Sequence, residues 1–147
     1  MNISRLAVEN VSKFGLYDQF TFIGKQETVI LTNAKIEKRA QALATGLRKQ
    51  GVKKGDIISV VLTNVPEIPQ TINGIMRTGA VFLPIIFALT APEIRYIIEH
   101  SESKYVITEK RLLPKIKEAL AGLKAQPGLI VIGAAAEDAC TDYADLL

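Results

Sequence analysis

Few residues of this chain have the type and spacing that chemistry requires. His100 is its single histidine, so two-histidine metal sites and most Ser–His–Asp triads cannot be assembled. It stands beside Glu99 and Glu102 near the expected end of a helix, where the dipole favours a partly positive imidazole; this predicts structural capping rather than catalysis. Glu93 and Asp56 are the carboxylates that most resemble a general acid or base. Each has a simpler role, Glu93 closing a capping box with Thr90 and Asp56 ending the turn Lys53-Lys54-Gly55-Asp56. Cys140 has Asp138 and Asp142 as neighbours, whose charges raise a thiol pKa, so an inert thiol in a reducing cytosol is expected. The glycines that could approach a phosphate, Gly51, Gly55, Gly74 and Gly79, form neither G-x-G-x-x-G nor G-x-x-x-x-G-K-[ST] and suit turns and helix ends better. No catalytic, cofactor-binding or metal-ligating residue is assigned.

The composition sets the frame for these residues. The chain has 147 residues, 48% of them hydrophobic and 22% charged, which is enough for one domain with its own core. One cysteine excludes a disulfide scaffold, and high hydrophobicity with a net charge of +3 excludes intrinsic disorder. No apolar stretch follows Met1-Asn2-Ile3-Ser4-Arg5, so a secretory signal is not expected. The longest apolar run, Gly79 to Ala91, is interrupted by Pro84 and falls short of the about 20 residues of a membrane span. A cytoplasmic protein is therefore expected. All 18 basic residues lie at or before Lys124, and the stretch after it holds four acids, Glu137, Asp138, Asp142 and Asp145, and no base. The basic residues are densest from Lys35 to Lys54, a stretch without a single aromatic on which a base could stack; a solvated helix face is expected there, not a nucleic-acid site.

Hydrophobic periodicity supplies the elements. Phe20–Ile23 and Thr28–Leu31 are β-prone and flank Gly24-Lys25-Gln26-Glu27, which predicts a hairpin. Ile36, Ala40, Leu43, Ala44 and Leu47 recur at helical spacing, with Thr32 or Asn33 as cap and Gly51 as stop. Ile57–Leu62 is a nearly continuous apolar run of the kind a strand covered on both faces requires. A helix from Pro66-Glu67 to about Thr78, a second buried strand at Val81–Ile85, and a helix from Thr90 to about His100 follow. Then come a strand at Tyr105–Thr108, a helix from about Arg111 to Lys124, and a strand at Leu129–Ile132. Strands separated by helices cannot pair as hairpins, so the fold class is α/β: a layered βαβαβαβ parallel sheet with helices on both faces and an N-terminal hairpin and helix. Residues 1–147 read as a single α/β unit, with 1–19 as a lead segment and 133–147 as an acidic tail.

Three stretches, in this order and spacing, resemble the N-terminal region of adenylate-forming (AMP-binding) enzymes: acyl-CoA ligases, peptide-synthetase adenylation domains and luciferases. They are Ala44 to Asp56, with its leucine–glycine–glycine–aspartate approach to a core strand; Val60-Val61-Leu62-Thr63-Asn64-Val65-Pro66-Glu67; and Gly79-Ala80-Val81-Phe82-Leu83-Pro84 with Leu89-Thr90, Glu93-Ile94, Tyr96-Ile97-Ile98 and Tyr105-Val106-Ile107-Thr108. After Pro84 the peptide-synthetase branch usually carries an aspartate; Ile85-Ile86-Phe87 here is more similar to the acyl-CoA ligase branch. Lys35 departs from the family, which often has an acid three residues after the capping Thr, and this weakens the cap.

The resemblance implies a parent enzyme that uses ATP and Mg²⁺ to turn a carboxylic or fatty acid into an acyl-adenylate and then passes the acyl group to the thiol of CoA. The family's Ser/Thr/Gly-rich phosphate loop, its adenine and ribose motifs and its catalytic lysine have no counterpart in these residues. The chain is thus expected to be an N-terminal fragment of such a ligase, inactive alone and binding no cofactor, with the remainder of the enzyme as its partner. A stand-alone interaction module of the same fold, or part of an adenylation domain loading a carrier protein, are the alternatives. Self-association through an uncovered sheet edge is also expected.

Overall fold

A computed structural model describes residues 5–24 and 27–147; Lys25 and Gln26, the centre of the expected hairpin turn, lie outside the described residues. The chain begins with helix α1 (Arg5–Phe14), followed by the antiparallel hairpin β1 (Asp18–Ile23) and β2 (Thr28–Thr32). Helix α2 (Asn33–Lys49) starts where Thr32 Oγ1 accepts the N–H of Lys35 at 3.2 Å, so the cap forms even with Lys35 in place of an acid. It stops at Gln50, and Gly51 adopts the left-handed φ of 87° that the sequence predicts for it.

The main sheet follows as β3 (Ile57–Val61), β4 (Val81–Pro84), β5 (Tyr105–Glu109), β6 (Gly128–Ile132) and the two-residue β7 (Thr141–Asp142). Its strands run parallel in the order β4-β3-β5-β6-β7. Helices α3 (Ile68–Thr78), α4 (Ala91–His100) and α5 (Leu113–Leu120) connect them. Alternation along each strand sends Ile58, Val60, Ile107 and Ile130 to one face, where they meet Leu43 and Leu47 of α2 and Ile75 of α3. Val61 and Val106 point to the other face, against Ile94 and Ile98 of α4 and Ile116 and Ala119 of α5. The layered α/β reading and the helices on both faces are borne out.

Three expectations need correction. Strand β4 is an edge strand rather than a buried one, with Val81 48% exposed, because the crossover through α3 places it outside β3. Helix α5 begins after a 3-10 turn at Lys110–Leu112 and ends at Leu120, four residues before the expected Lys124; Gly122, at φ 75°, turns the chain away. The acidic C-terminal stretch, given no element from sequence, forms β7 and two 3-10 turns. It buries Tyr143 and Leu146 in the core shared with α2 and α3.

Candidate functional site

In an open parallel sheet, ligands bind beyond the carboxyl ends of the strands, where neighbouring connections leave to opposite faces. Here that switch point lies between β3 and β5: β3 continues into α3 on one face and β5 into α5 on the other. Glu109, the last residue of β5, closes it. Its Oε1 accepts the backbone N–H of Thr63 at 3.0 Å and forms an ion pair with the Arg111 guanidinium, 3.1 Å from Nε, and the residue is only 8% exposed. Thr108 Oγ1 donates to Val61 O at 2.9 Å, tying the same strand ends again. Thr63 Oγ1 is buried beside them without a hydrogen-bond partner. Next to this crevice, Lys110 pairs with Asp138, whose carboxylate also accepts the N–H of Ala135 at 2.7 Å. The Lys110 side chain and the Ala135 amide hold that carboxyl below the usual range, and Asp138 holds the Lys110 ammonium above it.

The charges at the switch point lie in opposite pairs, Glu109 with Arg111 and Asp138 with Lys110. The arrangement ties together the loops after β3 and β5. Among the described residues, no group of three or more His, Cys, Asp or Glu is placed to hold a metal ion.

The residues singled out from sequence lie apart from this crevice. Asp56 accepts the Lys53 N–H at 2.7 Å and pairs with Lys104 at 2.8 Å; the Lys104 and Lys53 hydrogen bonds keep its carboxyl below the usual range. Glu93 Oε2 accepts from the N–H and the hydroxyl of Thr90 at 2.8 and 2.7 Å, which lowers its pKa and completes the expected capping box. Burial, then the charge of Asp138, pushes the Cys140 thiol up, as an inert cysteine requires. His100 stands in the last turn of α4, but its ring lies flat against Tyr96, centroids 5.7 Å apart, and the final carbonyls accept instead from Ser101 and Ser103. Gly51, Gly55 and Gly79 hold left-handed turns, while Gly74 packs within α3 where a Cβ would sit 2.7 Å from Leu43 Cδ2. Glu109 was missed from sequence. Its only signal is a charge ending the apolar run Tyr105–Thr108.

A family model described as AMP-binding enzyme matches residues 9–145. The chain is 30% identical over 89 residues to tyrocidine synthase 3 of Brevibacillus parabrevis, covering 60% of this chain and 1% of that protein. To a 4-coumarate–CoA ligase of Humulus lupulus it is 28% identical over 138 residues, covering 94% of this chain and 25% of the relative. The crystal structure of coronafacic acid ligase from Pectobacterium brasiliense superposes with a TM-score of 0.85 at 24% identity, covering 99% of this chain and 29% of that one. The chain thus spans a quarter or less of these curated relatives and under a third of this solved structure. With the family model matched across nearly its whole length and the fold of a ligase beneath it, the chain belongs to the AMP-binding enzymes.

Proposed function

We propose that the chain is the N-terminal part of an ATP-dependent acyl-CoA ligase, inactive without the rest of the enzyme. The parent reaction joins a carboxylic acid to the α-phosphate of ATP, releases pyrophosphate, and transfers the acyl group from the adenylate to the thiol of CoA. The observation that carries this reading is a family match from residue 9 to residue 145 of a chain that covers only a quarter of a CoA ligase's length. The residues beneath the switch point are read as scaffold: Glu109 holds the N–H of Thr63 and so fixes the loops after β3 and β5. Pure chain is accordingly expected to show no ATP–pyrophosphate exchange with any carboxylic acid, measured by incorporation of labelled pyrophosphate into ATP. Exchange above the protein-free rate would overturn the reading.

The 30% identity to a tyrocidine synthase favours a second reading, an adenylation domain that loads a carrier protein. Ile85-Ile86-Phe87 after Pro84, in place of an aspartate, supports the CoA branch. The downstream reading frame, followed by assay of CoA against a carrier protein as acceptor in the complete gene product, separates the two.

The same reading leaves surfaces for the rest of the enzyme to cover. Val81 on the edge strand, Ile86, Phe87 and Tyr96 are exposed on neighbouring elements. Pro84 has no N–H to offer a pairing strand, so apolar contact rather than strand addition would drive association. The chain is expected to self-associate at high concentration, seen as a rise in mass by light scattering; a strict monomer would count against it.

A further inference from the structure

We propose that α1 is a separately opening arm, held to the body of the protein by one polar latch, the side chain of Asn33. Neither α1 nor β1 contains a buried residue, and Leu6, Val8 and Phe14 of α1 are exposed. A ten-residue helix has little stability of its own in water, so what holds α1 must come from elsewhere in the fold.

Asn33, the first residue of α2, is 3% exposed. Its Oδ1 accepts the N–H of Tyr17 at 3.3 Å and of Ala34 at 2.9 Å. Its Nδ2 donates to Gly15 O at 2.7 Å and to Asn10 Oδ1 at 3.1 Å, and its backbone N–H donates to Tyr17 O at 3.1 Å. Tyr17 in turn donates from its hydroxyl to Asn10 Oδ1 at 3.0 Å. The two acceptors facing Nδ2 and the two donors facing Oδ1 allow only this orientation of the amide. One side chain therefore satisfies the end of α1, the turn behind it and the start of α2, and all its hydrogen-bonding capacity is used.

Beneath α1 lies a cavity of 280 Å³. Leu6 and Asn10 line it from the arm, Glu37 and Met76 from the body. Opening of the arm removes one wall and exposes further the Glu37 side chain, which with its ion-pair partner Arg77 is 10% and 18% exposed in the closed form.

Native-state hydrogen exchange, read residue by residue, tests this on the whole chain. The amides of residues 9–15 are expected to exchange as one group, at least about tenfold faster than those of β3 and β5. Asn33→Ala should accelerate that group by a further factor of about ten or more, the worth of one or two buried hydrogen bonds, while β3 and β5 keep their rates. If Asn33→Ala fails to fold, Asn10→Ala, which removes the latch's acceptor from the arm side, should give the same selective acceleration. The proposal is overturned if residues 9–15 are as protected as β3 and β5 in the unaltered chain. It is equally overturned if the variant that folds speeds all elements alike or leaves residues 9–15 unchanged.

Discussion

Arg77→Met is expected to lower the unfolding free energy by about 3–5 kcal/mol, read from the urea midpoint, because it leaves an unpaired carboxylate buried between two helices. Arg77 of α3 and Glu37 of α2 form an ion pair whose side chains are 18% and 10% exposed. Gln41 adds a hydrogen bond to the same Glu37 oxygen at 2.8 Å. The second carboxylate oxygen, Glu37 Oε2, and Arg77 Nε are buried without partners, so the pair already carries part of its desolvation uncompensated. Two charges removed together leave no such penalty. The double variant Glu37→Met, Arg77→Met should therefore recover most of the loss. A loss below about 1 kcal/mol for Arg77→Met, the size of an exposed surface pair, would show that water reaches the site in the folded protein.

The second large effect concerns Tyr143, for which replacement by Ala should remove about 3–5 kcal/mol. Tyr143 is 2% exposed in the core beneath α2 and α3. Its hydroxyl accepts from Gln70 Nε2 at 3.3 Å and donates to Thr71 Oγ1 at 2.8 Å, and the Thr71 hydroxyl in turn donates to Glu67 O at 2.8 Å. Burial pushes the phenol up to about 12, against the opposing influence of these two hydrogen bonds. A group neutral in the folded state and ionised more readily when unfolded stabilises fully below the unfolded value near 10, and that contribution is lost between about pH 10 and 12. Urea midpoints should fall through this window in the unaltered chain. Tyr143→Phe should flatten that part of the profile while lowering stability at neutral pH through the stranded Gln70 amide. An unchanged alkaline slope in Tyr143→Phe would mean that other groups set it.

Gly46 makes the same C-terminal segment testable from the opposite side. A Cβ there would sit 2.7 Å from Leu146 O and 2.8 Å from Leu146 Cβ, both close to rigid backbone. The final turn approaches α2 this closely only because residue 46 has no side chain.

The strands and helices that carry local signals were legible. Ile57–Leu62 reads as a strand because its nearly unbroken apolar, β-branched character suits burial on both faces; the strand spans Ile57–Val61, and Ser59, its one polar member, is met by Ser103 Oγ at 2.6 Å. Thr90 and Glu93 announce α4 because a capping box is completed within four residues. The order of strands was not legible: a βαβ unit has the same local pattern whichever side of β3 its second strand joins. Hence β4 reads as buried and is found at an edge. The residues after Ile132 gave no period at all, since a two-residue strand and short 3-10 turns bury single side chains rather than a face.

Family membership and the α/β class followed from residues within a few positions of one another: apolar periods, caps, glycine turns and the three motifs between Ala44 and Thr108. The tertiary structure alone decided which distant groups meet. Thr63 and Glu109, 46 residues apart, close the switch point; Glu37 and Arg77, 40 apart, share a buried charge; Asn33 and Asn10, 23 apart, hold the N-terminal helix. Local sequence encodes a helix or strand because its stabilising contacts fall within one or two turns. Contacts across a sheet depend on the path of the whole chain, which no short window of sequence contains.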